Sequence, residues 1–155
     1  MIKRIIVLLA IAFLTSCAAS GPKFQERTLT NSTNAIIYVY RPSKTVNCCV
    51  APKVYLDQVA TADLKNGGYI AVEVPAGKHE VTVGDGSYGF TPEKLMLSLS
   101  SGESVYLKWV IGGLTQFDIM AVGNIAVGTS AREYFLLQFP KEKAIIEISE
   151  LKLSQ

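Results

Sequence analysis

The side chains with the most distinctive chemistry in this sequence are three cysteines, Cys17, Cys48 and Cys49, and a single histidine, His79. A zinc site draws three or four ligands from His, Cys and carboxylates. His79 has no second imidazole and no cysteine at ligand spacing to work with. A Ser-His-Asp triad finds no Gly-x-Ser-x-Gly elbow to carry its serine. Two positions beyond Gly77, the His79 ring is expected to do structural work by capping turn carbonyls. Cys48 and Cys49 lie in the stretch Thr45-Val46-Asn47-Cys48-Cys49 and admit three readings. They are inert thiols serving as small apolar side chains, or a strained and reducible disulfide with a redox or ligand role, or a site of intermolecular bridging or metal binding. No Cys-x-x-Cys spacing supports an oxidoreductase. These residues predict no catalytic group, no cofactor and no resident metal.

Cys17 stands in a different context. Lys3 and Arg4 precede an apolar run from Ile5 to Leu14, and Leu14-Thr15-Ser16-Cys17 closes it. A charged start, an apolar core of about 7 to 15 residues and small residues before a cut make a secretory leader. With the cysteine directly after the small residue, the segment resembles the signals of bacterial lipoproteins. The resemblance implies cleavage before Cys17, a diacylglyceryl group on its sulfur and acylation of the new amino terminus. The alternatives are a soluble secretory signal, with Cys17 incidental, or an uncleaved anchor. An anchor needs about 20 apolar residues, and this run stops at Thr15. Several acyl chains hold firmly where one holds weakly, because each buried methylene adds about 0.8 kcal/mol. Ala18, and not Asp, follows the cysteine, which by analogy with sorting in double-membraned cells favours the outer membrane, facing the periplasm.

Cutting a leader of residues 1–16 from the 155 leaves 139, enough for one domain with its own core. It also takes two of the fifteen basic residues, leaving thirteen against thirteen acidic ones. A neutral chain without a basic run has no electrostatic footprint for nucleic acid. Residues 17–34 are rich in Ser, Thr, Asn, Gly and charge, with Phe24 and Leu29 as the large apolar side chains. Such a composition predicts a flexible tether from lipidated Cys17. A single domain is expected over 35–155.

From Ala35 the chain turns to short β-branched and aromatic runs. Ala35 to Arg41 is apolar on both faces and stops at Pro42, as a buried strand would. Val54 and Leu56 alternate with polar neighbours; Ile70, Val72 and Val74 share a face after Asn66-Gly67-Gly68. Val81 and Val83 follow the Pro75-Ala76-Gly77 turn. Leu95, Leu97 and Leu99 point one way before Ser100-Ser101-Gly102, as do Val105, Leu107, Trp109 and Ile111 after it. Turns about every ten residues, with period-two faces between, predict an all-β antiparallel sandwich or barrel.

The runs Ile37-Tyr38-Val39-Tyr40-Arg41-Pro42, Val54-Tyr55-Leu56-Asp57, Leu64-Lys65-Asn66-Gly67-Gly68-Tyr69, Val74-Pro75-Ala76-Gly77-Lys78-His79 and Ser104-Val105-Tyr106-Leu107 together resemble the bacterial domain of unknown function 2846. They are also similar to PEGA-type surface modules, with an Asp-ended strand and a Pro-x-Gly-x-His turn. Gln58 departs from the PEGA pattern, which has glycine after the aspartate. The resemblance implies an immunoglobulin-like or transthyretin-like sandwich and a cell-envelope location, and it assigns no activity.

Gly112 to Ala131 is apolar but interrupted by Asp118, Asn124 and glycines, a poor membrane span. It is expected as a further hairpin or crossover, or as an exposed loop touching a partner or lipid. Tyr134 to Phe139 reads as a last strand. After Pro140 two readings stand: a short C-terminal helix with Ile145, Ile148 and Leu151 on one stripe and Lys141, Glu142, Lys143, Glu147, Glu150 and Lys152 in water, or an extended edge segment. The expected function is a non-enzymatic envelope lipoprotein, held to the membrane by the lipid on Cys17 and binding another envelope protein or component. The alternative is a small-ligand or glycan-binding module using Tyr38, Tyr40, Tyr55, Tyr69, Tyr88 and Trp109.

Overall fold

Strand β1 (Asn34–Arg41) buries every side chain from Ala35 to Arg41. A strand buried on both faces must lie between two covering layers. The computed structural model, which describes residues 18–87, 91–111, 118, 120 and 134–155, shows both. The chain continues through β2 (Lys53–Leu56), β3 (Val59–Asp63), β4 (Gly68–Pro75), β5 (Gly77–Val83), β6 (Glu93–Leu99), β7 (Ser104–Ile111), β8 (Tyr134–Phe139), helix α1 (Lys141–Ile148) and β9 (Lys152–Leu153). A five-stranded sheet in the order β8-β7-β1-β4-β9 faces a four-stranded sheet in the order β3-β2-β5-β6.

Between the sheets Ala35, Ile37 and Val39 meet Val54, Val81, Val83, Leu97, Leu107 and Trp109. The inward faces expected from alternation are thus the inward faces found, with Leu56, Val72 and Leu95 only partly buried at the margins. The sandwich is all-β as predicted, but the five-stranded sheet is mixed: β1 runs parallel to β7 and β4 parallel to β9. The reason is connectivity. The chain crosses between sheets at residues 42–52, 64–67, 76 and 100–103, so β7 returns beside β1 from the same end. At the third crossing Gly77 has φ +145°, a backbone conformation that other residues rarely adopt.

Strand β3 escapes sequence reading because Val59-Ala60-Thr61-Ala62-Asp63 is an exposed edge with little apolar contrast. Its hairpin with β2 turns on Asp57 and Gln58 at φ +49° and +69°, a two-residue type I′ geometry. Gln58 therefore keeps the turn that glycine serves elsewhere, at a conformational cost of about 1 to 2 kcal/mol.

Residues 18–33, expected to be a flexible tether, instead pack along the outer face of the five-stranded sheet. Gly21 N–H donates to Leu153 O at 3.1 Å, Phe24 N–H to Leu151 O at 2.9 Å, and Leu153 N–H to Pro22 O at 2.8 Å. Phe24 sets its ring edge-on to Tyr38 and Tyr69, with centroids 5.4 and 5.2 Å away. Glu73 accepts from Thr30 N–H, Thr30 Oγ1, Asn31 N–H and Asn34 Nδ2 at 2.8 to 3.1 Å. These donors hold its carboxyl down to about 2. The arm's own composition is too polar to order itself. The sheet supplies what it lacks, an aromatic face that would otherwise lie in water.

Helix α1 covers the rest of that face. It starts after Pro140 and buries Ala144 and Ile148 against Ile36, Tyr40, Tyr106 and Phe139. Leu151 is buried just beyond the helix. Glu147, expected in water, instead turns toward the sheet, where Lys108 and Tyr40 await it.

Candidate functional site

The strands define two ends. Ala18, the 42–52 and 64–67 connections and the termini of β7 and β1 share one end; the turns at 57–58, 76 and 100–103 share the other. The sequence-selected residues divide between them.

At the second end, the β2–β3 turn places Asp57 beside β5. Asp57 Oδ1 accepts the Glu80 N–H at 2.9 Å, and Oδ2 lies 2.7 Å from His79 Nδ1. His79 Nε2 lies 2.9 Å from Pro75 O. Both neighbours of the ring are acceptors, so the doubly protonated imidazolium, with two N–H donors, suits the site. Its bond to Asp57 raises His79 above the usual 6.5, partly opposed by burial. The same bond, with the Glu80 amide, lowers Asp57 below 3.8. His79 thus ties the hairpin tip to the crossover turn, in the structural role expected of it, with no ring nitrogen left for a substrate.

The linkage has a definite sign. The His79 contribution is full below pH 6.5 and fades as pH rises through its higher folded value. The Asp57 contribution is full above 3.8 and fades as pH falls through its lower folded value. Replacing His79→Gln should therefore cost most between about pH 4 and 6.5 and progressively less above neutrality. Thermal melts of both proteins across pH 4 to 9 check this; a difference that grows toward alkaline pH would refute the clamp.

At the first end, the loop after β1 carries Cys48 and Cys49 as free thiols with Sγ atoms 3.4 Å apart. The neighbouring thiol raises Cys48, which disfavours the nucleophilic thiolate. The loop is shaped by a residue that sequence reasoning overlooked. Arg41, 2% exposed, donates to Asn47 O at 2.7 Å and to Val50 O. Its guanidinium lies 5.4 Å from the centre of the Trp109 ring. Burial lowers its pKa. A cation ending an apolar strand just before Pro42 was the available signal.

A second overlooked group lies under α1. Lys108 Nζ sits 2.5 Å from Asp118 Oδ1 and 2.6 Å from Glu147 Oε1, and Tyr40 O–H donates to Glu147 Oε2 at 3.1 Å. Lys108 interrupts an otherwise apolar run from Val105 to Ile111, a pattern that marks a buried cation needing partners. Nearby, Tyr106 O–H donates to Glu26 at 2.6 Å, and Lys141 pairs with the same oxygen at 2.6 Å. Both networks join the outer layer to the sheet.

Tyr38, Tyr40, Tyr69 and Trp109 are all buried, and Tyr55 is partly so. Residues 1–17 with Cys17, Tyr88, and the stretch Gly112 to Ala131 apart from Asp118 and Met120 lie outside the described residues. Among the described residues no three His, Cys, Asp or Glu side chains converge to hold a metal ion, and no helix is long and apolar enough to cross a membrane.

Residues 31–125 match the sequence model of a family described as a protein of unknown function, DUF2846. No curated protein matches the chain.

Proposed function

We propose, from the premise that this chain belongs to the DUF2846 family of proteins of unknown function, that it is a non-enzymatic lipoprotein of the cell envelope. Cys17 carries the lipid, most consistently with the outer membrane facing the periplasm, and the sandwich meets another envelope protein or component. The observation that carries this reading is the sequence Leu14-Thr15-Ser16-Cys17 directly before Ala18, which is bridged to Asn66. A lipid there holds one end of the sandwich at the membrane and turns the other, with the Asp57–His79 clamp, outward. A rigidly tied set of turns suits recognition by a partner. The glycan-binding alternative draws less support, because four of the aromatic rings that suggested it are core side chains.

Growth with a palmitate analogue tests the anchor. The wild-type protein should incorporate the label and sediment with membranes, whereas Cys17→Ala should do neither. Continued labelling and membrane association of Cys17→Ala would overturn the assignment.

A further inference from the structure

We infer that the end of the sandwich bearing Ala18, the Asn66–Gly67 turn and the Pro42–Val50 loop lies directly on the phospholipid headgroups, with Val46 entering the interface. The inference rests on the proposed lipid at Cys17, and chain length carries it. Ala18 is bridged to Asn66, and the Ala19 N–H donates to Asn66 O at 3.0 Å. From Cys17 to Ala19 the backbone spans at most about 7 Å. The headgroup zone of one leaflet is about 5 to 8 Å thick. A sandwich docked so soon after its anchor has no slack with which to stand away from the bilayer.

The loop is fastened to the anchoring point. Asn66 Oδ1 accepts the Lys44 N–H at 3.0 Å, and Asn66 Nδ2 donates to Lys44 O at 3.0 Å. On its far side Arg41 holds Asn47 O at 2.7 Å and also holds Val50 O. Between these fastenings Val46 is 67% exposed, an apolar side chain held outward on a fixed loop. The adjoining carboxylates of Glu147 and Glu150 are engaged by Lys108 and Lys23. The ammonium groups of Lys65 and Lys152, beside the Asn66–Gly67 turn, make no ion pair with a described residue and suit lipid phosphates.

Fluorescence quenching by brominated phospholipids tests the orientation. The full lipidated protein is placed in phosphatidylethanolamine and phosphatidylglycerol vesicles, with an indole introduced by Val46→Trp or, as the distal control, Ala76→Trp. Trp109, 1% exposed, contributes a constant background. The eight residues of β4, at about 3.3 Å each, put position 76 about 26 Å from the lipid-facing end. The indole at position 46 should emit at shorter wavelength and lose most of its emission to the brominated lipid, and the indole at position 76 should lose almost none. Equal and weak quenching at both positions in vesicle-bound protein would overturn the orientation while leaving the anchor intact. Protein that does not sediment with vesicles at all would overturn both.

Discussion

Lys108→Ala is expected to lower the unfolding free energy by about 3 to 5 kcal/mol, the range for removing one partner of a buried ion pair. The size follows from what remains. Asp118 and Glu147 both approach the ammonium, at 2.5 and 2.6 Å, with side chains 1% and 20% exposed. Without the cation the two carboxylates lose a shared partner in a site that water reaches poorly. Glu147 also accepts from Tyr40, so the loss spreads to the packing of α1 on β1. Lys108→Met keeps the length of the apolar stem and should be nearly as damaging, which separates charge from packing. Urea unfolding of the three proteins measures this. A loss under about 1 kcal/mol for both variants would place the pair in the surface class.

Phe24→Ala should cost about 2 to 4 kcal/mol, just below the range for a fully buried phenylalanine, because this ring is partly buried. It is nonetheless the side chain that closes over Tyr38 and Tyr69. Its loss should uncover both rings and release the Gly21, Phe24 and Leu153 amides to hydrogen exchange, while amides of β5 and β6 stay protected. The Glu73 carboxyl adds a pH dependence. Held down to about 2, it supports the arm at any pH above its ordinary 4.5 and loses its grip as pH falls toward 2. Exchange followed by mass spectrometry reads both effects. Arm amides that exchange at the free-chain rate in the wild-type protein would restore the picture of a loose tether.

These two expectations come from residues whose roles the sequence hardly announces. Alternation along β4, β6 and β7 marked Ile70, Val74, Leu97, Leu99, Leu107 and Trp109 as inward. Period-two patterning is a local property, readable wherever one face of a strand is wet and the other dry. The turns at Asn66-Gly67 and Pro75-Ala76-Gly77 were legible for the same local reason, since Gly67 and Gly77 both take positive φ. The helix after Pro140 and its buried Ile148 followed from helical spacing.

What lay beyond the sequence was everything that depends on a distant partner. Phe24 is one aromatic in a polar arm, and only the rings of Tyr38 and Tyr69 make it part of a core. Glu73 looks like an ordinary outward residue of β4 until the arm brings it four donors. The charged face of α1 appears fully solvated, yet Glu147 joins Lys108 across 39 residues. The parallel placement of β1 and β7 arises from crossings between sheets, which local patterning does not encode. By itself the sequence determined the β character, the inward faces and several turns, because each is written in neighbouring residues. Only the tertiary structure decided that the arm is docked, that buried Lys108 meets Asp118 and Glu147 and that Ala18 enters beside the Pro42–Val50 loop, because burial and pairing belong to residues far apart in the chain.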